Sequence, residues 1–545
     1  MGLRMKTLGY AVIFLFCSVF PACAQLVYHG CTTPPSKFGN VWYIDPVKGA
    51  TQIAGGTGSA THPWNSLQAV FSTTTGYNYP LLTTAPYKYW PKGGSGYVFA
   101  AGPSAGPIKP GDEILLMGGN YGTVNIGQYN TEIANSSFLT IAAAPGQTPV
   151  FSLLAIESTT MLQFIGIKVQ SLAAGSSTFL VSVKDQGSQL PASNIVFQNM
   201  TLSSQDDVTS WSQADWRTNA RNGFVAQSSA GGGNTKCISM TGSHITNIKT
   251  GVSLGAALTV FSGNQIDHFA DDGIEFAASD LSITKNYIHD NLDIADGVHT
   301  DAMQGQIGVL PAGVAVNTYS NILIDSNTVI RQIDPNLPFP QGLQGIDAFD
   351  SNWQYLTVSN NVVVTSSCYG IGFASVNGGL IVNNTTVADG LLATAGNCKP
   401  GINIGDKTHQ GSSSQGVTVR NNLTNSVSID NLDPGVTADH NVGMATSGTA
   451  VFSWYVNGVT QFFGAPGSYG SNIIAAGGPA AEFVDFDPAL LTYNLKLKAN
   501  VPAVTAGTAA NAPTVDIIGV PRTSVTTTTS PPQTGFPVGA YGYPE

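Results

Sequence analysis

The sequence predicts an all-β fold: a parallel β-helix, a solenoid of short strands, with a short capping helix at its N-terminal end. Three observations predict it. The first is a recurring frame in which an apolar-alternating strand ends in Asn or a small polar residue. It is seen at Phe261-Ser262-Gly263-Asn264, Ile283-Thr284-Lys285-Asn286, Ile324-Asp325-Ser326-Asn327, Val358-Ser359-Asn360-Asn361 and Val419-Arg420-Asn421-Asn422. Val382-Asn383-Asn384-Thr385 fits with Thr in the last place. The steps run from 22 to 41 residues, the short ones being one coil and the long ones coils with insertions. Such a period marks a solenoid. Asn tolerates left-handed corners, and its amide can bond Asn one coil away, about 4.8 Å along the axis. The second observation is composition: 62 Gly in 545 residues, 42% hydrophobic and only 10% charged. That is too apolar for disorder and too sparsely charged for an ordinary helical protein. The third is a second repeat, in which carboxylates gather: Asp272-Gly273-Ile274-Glu275, Asp301-Ala302-Met303-Gln304 and Asp347-Ala348-Phe349-Asp350.

In chain order, residues 1–24 read as a signal peptide. Arg4 and Lys6 precede an apolar run from Leu8 to Phe20, and Ala22-Cys23-Ala24 supplies the small-x-small cleavage pattern. Acylation of Cys23 is the alternative. The formal charge is -11, and removal of 1–24 takes two basic residues and no acid, leaving about -13. That charge suits neither nucleic acid nor an anionic membrane. No later run is long and apolar enough to span a bilayer. A secreted or periplasmic monomer is expected. Four cysteines remain, Cys31, Cys237, Cys368 and Cys398. Cys368 and Cys398 each precede a repeat copy and are placed to pair across coils; buried free thiols are the alternative.

Residues 25–60 are expected to lead into the solenoid. Val41 to Pro46 is a short strand, and Asn65 or Ser66 caps a helix to Phe71 whose apolar face is Leu67, Val70 and Phe71. The solenoid is expected over 61–500. Strands are expected at Glu113–Met117 and Phe138–Ala142, each beside a Pro-Gly turn. Insertions at Gly305–Ser320 and Arg331–Leu343 are positioned to wall a groove. Residues 501–545 are expected to form an extended C-terminal segment, with an exposed Ser/Thr/Pro-rich loop at Thr523–Pro532.

The three tetrads carry the candidate chemistry. Ile274, Met303 and Phe349 are expected to point inward, which sends Glu275, Gln304 and Asp350 outward as substrate-binding groups. An apolar interior would not tolerate Asp272, Asp301 and Asp347 unpaired, so they are placed at the bend before each strand. Carboxylates stacked at coil spacing cannot all ionise freely: one takes up a proton, or a cation joins them. The three are therefore candidates both for catalysis and as ligands for calcium (Ca2+). Corner capping by hydrogen bonds to backbone N–H groups is the bland alternative. His299, two places before Asp301, is the candidate acid or base; His289 is an alternative. Trp90, Trp211, Trp216 and Trp353 could stack on sugars or sit in the core.

These residues also resemble a family. Tyr43-Ile44-Asp45-Pro46, a Gly-rich loop, Pro63-Trp64 and Leu67-Gln68-Ala69 look like the opening of secreted right-handed parallel β-helix proteins of the pectate-lyase-like superfamily. Leu115–Tyr121 and Leu139–Phe151 look like the coils that follow, and Asp516–Arg522 with Gly539-Ala540-Tyr541 resembles the ending. The resemblance implies a right-handed coil and an enzyme acting on polysaccharide. A lyase on an acidic, uronate-containing glycan is the leading reading. A glycoside hydrolase, a uronate epimerase or a non-catalytic glycan-binding protein are the alternatives. In β-helix lyases Lys or Arg often removes the proton beside the uronate carboxyl, which makes Lys285 and Arg331 candidates. Asp271-Asp272 is similar to the paired Asp of polygalacturonases, whose other motifs are absent. Val298-His299-Thr300-Asp301 keeps only the last Asp and, one place early, the His of the epimerase motif.

Overall fold

The computed structural model describes residues 31–542, apart from 85–86, 90–97, 101–105, 128–132, 173–177, 186–189, 229–234, 309–313, 392–398, 406–412, 431–434, 446–451, 457–458 and 463–470. The signal segment, Trp90, Cys398 and part of the Gly305–Ser320 insertion lie outside the described residues.

Each coil contributes three strands, and each strand pairs in parallel with its counterpart one coil on. Leu281–Thr284, Tyr287–Asn291 and Thr300–Gly305 make one coil; they pair with Thr318–Asp325, Thr328–Ile330 and Leu343–Ala348 of the next. Three columns of strands result. The first runs in strict chain order from Val41–Ile44 to Thr437–Asp439. Among the described residues, parallel strand pairing runs from Val41–Ile44 to Ile473–Ala476. The capping helix is a single turn, Gln68–Phe71, with Ser66 Oγ accepting from the Ala69 N–H at 3.3 Å.

One side chain in two points inward and builds a continuous apolar core, with Phe164 stacked on Phe197 at 5.4 Å between ring centroids. The corner between the first and second columns is an asparagine ladder. Asn264, Asn286, Asn327, Asn361, Asn384, Asn422, Asn441 and Asn472 each donate or accept an amide bond to the next, at 2.9–3.1 Å. The member on the fifth coil is Asn384, one place before the expected Thr385. Its predecessor Asn383 takes the left-handed corner (φ 56°) that Asn360 and Asn421 take on neighbouring coils.

The C-terminal segment turns back along the solenoid. Val538, Ala540, Val504 and Leu497 cover the outer faces of Val362, Val364, Val387 and Leu423. This explains the unbroken apolar run Val362-Val363-Val364, which is buried on both sides. Arg522 is buried there and donates to Asn360 Oδ1 and to the Gly539 and Ala540 carbonyls. Cys31 and Cys237 form a disulfide across 206 residues. Cys368 is also disulfide-bonded.

Candidate functional site

The corner between the second and third columns carries the carboxylates. Ile274 pairs with Met303, so Asp272 and Asp301 share one column, as expected. The third tetrad does not follow. Met303 pairs with Ile346, which puts Gln344 opposite Asp301 and Asp347 opposite Gln304. The inward residue is Ile346, not Phe349, because Asp347-Ala348-Phe349-Asp350 imitates the frame three places late. Phe349 instead lies against the Tyr369 ring at 5.2 Å, and Asp350 is exposed beyond the strand's end. The outward row is therefore Ser253, Glu275, Gln304 and Asp347, with Asp350 outside it.

Asp347 nevertheless reaches the stack from its shifted place. With its amide nitrogen toward the carboxylates, Gln344 donates to Asp301 Oδ1 at 3.1 Å and to Asp347 Oδ2 at 3.3 Å. Asp272 Oδ1 accepts the Asp301 N–H at 3.0 Å. Asp301 Oδ2 accepts from Gln304 Nε2 at 2.6 Å and lies 3.2 Å from His299 Nε2. Asp301 is 1% exposed and the His299 ring above it 60% exposed. An exposed imidazole is thus held by a covered carboxylate.

Burial and mutual repulsion move these carboxyls upward. Burial, then the Asp301 charge, pushes Asp272 up to about 9. Burial lifts Asp301 to about 6, against the pull of His299. Burial and the charges of Asp301 and Asp272 raise Asp347 well above the usual range. Burial also raises Glu275 and Asp271. At neutral pH Asp272 is a neutral acid, Asp301 titrates nearby, and Asp347 is shifted in the same direction.

The two cation candidates stand elsewhere. Lys285 occupies an exposed left-handed corner (φ 57°) beside the asparagine ladder, at the other end of the second column. Arg331 is 1% exposed and its Nε is paired with Asp389, where a buried charge needs that partner. The cation the structure does bring to the corner is Lys249, which the sequence reading missed. Its carbonyl accepts from the Ala270 and Asp271 N–H groups, its Nζ lies 3.5 Å from Asp296, and its charge opposes the rise of Asp271. The sequence signal available was its place one coil before Asp271.

Calcium would need several oxygens converging on one point. Among the described residues no three His, Cys, Asp or Glu side chains form such a set. No step below runs through calcium.

A wall stands on the same corner. Val208, Trp216, Ala220, Leu292, Ile294 and Leu337 pack with Ala270 into a separate small core, with Trp211 and Phe339 against it. Three insertions build it: 204–221, 292–299 and 331–342. The Arg331–Leu343 insertion is therefore a wall as expected, whereas Gly305–Ser320 leaves from the other end of the third column. Helix Gln213–Asn219 in the first insertion begins with a Ser212/Asp215 capping box, a signal legible in Ser-x-x-Asp. Trp216 and Trp353 are core residues, not sugar platforms. His289 is buried and bonded to Asp290 at 2.7 Å on the far side of this wall.

Residues 229–458 match the family model described as a right handed beta helix region. The solenoid is a right-handed parallel β-helix. Among solved structures, the β-helix is similar to pectate lyase Pel9A, at 13% identity, 93% of this chain, 96% of that one and a TM-score of 0.41. It is also similar to a rhamnogalacturonan lyase, at 11% identity, 74% and 87% coverage and a TM-score of 0.37. A third is the GH136 lacto-N-biosidase from Eubacterium ramulus, at 10% identity, 81% and 67% coverage and a TM-score of 0.33. No curated protein matches the chain. Among the described residues no helix is long and apolar enough to cross a membrane.

Proposed function

We propose that this β-helix is an extracytoplasmic polysaccharide lyase that acts on an acidic glycan at the Asp301 corner. The observation that carries the reading is the exposed His299 ring held 3.2 Å from the covered Asp301 carboxylate. Elimination from a uronate needs a base for the proton beside the carboxyl group and a donor for the departing oxygen. His299 is the accessible base, Asp301 orients its ring, and the proton that His299 takes up is passed to the departing oxygen. Asp272, neutral at pH 7, and the upward shift of Asp347 lessen the repulsion that a negatively charged sugar would meet from ionised carboxylates at this corner. Lys249 is the cation nearest to where the uronate carboxylate would lie. Glu275 and Gln304, on the outward row, contact the sugar. Export is supported by the Cys31–Cys237 disulfide, a bond that persists in oxidising compartments.

Hydrolysis is the second reading. The split between Asp272, about 9, and Asp301, about 6, favours it, since a glycosidase needs one carboxyl protonated and one ionised. Both carboxyls are nearly covered, which weighs against it. A panel of acidic and neutral polysaccharides, read by product mass, tests both readings. Fragments lighter by one water than the hydrolytic product, carrying the absorbance of a conjugated double bond, are expected. Fragments with added water would replace this reading with the second, and no product from any glycan would end both.

A further inference from the structure

Behind the wall, on the outer face of the second column, stands a polar cluster that the proposed reaction does not use. Asp267 accepts from His244 Nε2 at 2.6 Å, Thr246 Oγ1 at 2.5 Å, Gln265 Nε2 at 2.8 Å and His268 Nδ1 at 2.8 Å. His268 occupies a left-handed corner (φ 48°), where the preceding coil has Asn247 (φ 52°). Its second nitrogen, Nε2, lies 3.6 Å from Asp334 Oδ2. Asp334 belongs to the 331–342 insertion, so His268 bridges a core strand and the wall.

That insertion reaches the candidate site through several bonds. Asp290 Oδ1 accepts the Ile333 and Asp334 N–H groups at 2.7 and 3.0 Å, while its Oδ2 is bonded to His289. The Asp293 N–H donates to the Phe339 carbonyl at 2.7 Å, and Leu292 bridges Pro340. Gln341 donates to Thr300 Oγ1 and to the Leu292 carbonyl. The insertion thus clamps the segment 292–299, which ends at His299, and runs directly into the strand that carries Gln344 and Asp347.

We propose that His268 is a positioning residue of the Asp301 corner: as an imidazolium it ties Asp334 to Asp267, closes the 331–342 insertion, and so fixes the segment bearing His299. The proposal rests on the reading of His299 as the base only for what the clamp positions. The groups facing His268 are Asp267 on its own strand, Asp290 on the next coil and Asp334 on the insertion. His244 lies on the other oxygen of Asp267, and His289 on Asp290. Burial acts to lower His268, and the three carboxylates together hold it above its ordinary value. Its folded pKa is raised, so the clamp is complete below about 6.5 and is lost as pH rises through the raised value.

The test is hydrogen exchange on the full chain, which requires no substrate. Protection of 333–342 and of the Asp293 amide is compared with that of strand Val362–Val364, between about pH 6 and about pH 8.5. A partly exposed ion pair is worth roughly a two- to fivefold change in opening. The wild-type ratio is expected to fall by that factor at both places. His268→Asn suits the left-handed corner and cannot be charged; it should show the low ratio at both pH values, as should Asp334→Asn. A pH-independent wild-type ratio, or a His268→Asn protein that keeps the wild-type fall, would overturn the clamp. Opening of 333–342 that leaves Asp293 protected would overturn the positioning role. A failed glycan panel touches none of these readings, so the two ideas fall separately.

Discussion

The two polar corners of each coil stack the same kind of short side chain at the same spacing, and they behave oppositely. At the asparagine corner each amide both donates and accepts. Asn327 gives its N–H to the Ile283 carbonyl and to Asn361 Oδ1, and its own oxygen takes the Asn286 amide. Every polar group closes within the ladder. At the carboxylate corner an ionised side chain only accepts. Asp272 and Asp301 are brought one above the other with little to share, Gln344 supplies the missing donor, and Asp347 Oδ1 is left without a partner among the described residues. The stack answers by holding protons. A ladder of amides is a finished structure. A ladder of carboxyls stores reactivity.

Exchanging the two chemistries sharpens the contrast. Asp301→Asn keeps size and shape but removes the charge that orients His299. Activity on the glycan found by the panel is expected to fall roughly 10²–10⁴-fold, with circular dichroism unchanged. His299→Ala should lose a similar amount, and the double variant little more, because the pair acts as a unit. Full activity in both would place the chemistry elsewhere.

The reverse exchange, Asn327→Asp, should leave chemistry alone and damage the fold. It places acceptors against the Ile283 carbonyl and Asn361 Oδ1. A loss of about 3–5 kcal/mol in denaturant unfolding is expected, as for an uncompensated buried charge. A neutral result would mean that the ladder tolerates carboxyls as readily as the other corner.

A smaller effect concerns pH. Asp272 moves from 3.8 unfolded to about 9 folded, and Asp301 to about 6. Groups raised on folding stabilise fully below their unfolded value and lose that contribution as pH rises through the folded one. Asp267, held far below the usual range by its two histidines against the effect of burial, acts in the opposite sense and sets the acid limit. The melting temperature should therefore be higher near pH 5 than near pH 8.5. Asp272→Asn keeps the acceptor for the Asp301 N–H, so it should raise the alkaline value and leave the acid one unchanged.

The contrast was partly legible in the sequence. The Asn frame could be followed because its strands alternate, and it slipped by one only at Asn383-Asn384-Thr385, where three polar residues all suit a corner. Asp272 and Asp301 were legible because Ile274 and Met303 fix the register. Asp347 was misplaced because Ile346 and Phe349 offer two apolar choices, and only the neighbouring coil decides between them. The Cys31–Cys237 bond was hidden, since it joins segments 206 residues apart, whereas Lys249 was overlooked although it stands one coil before Asp271. The wall was half legible: its Pro-rich third insertion stood out, while the helix bearing Trp216 was not picked out despite its Ser-x-x-Asp start.

The most direct measurement is a carbon-13 titration of the aspartate carboxyls, assigned by Asp272→Asn, Asp301→Asn and Asp347→Asn. The account predicts that Asp272 remains protonated at pH 7 and titrates near 9, that Asp301 titrates near 6, and that Asp347 titrates above the ordinary carboxylate range. If all three are fully ionised by pH 5, the carboxylate corner is a structural ladder like its asparagine counterpart, and the proposed site is wrong.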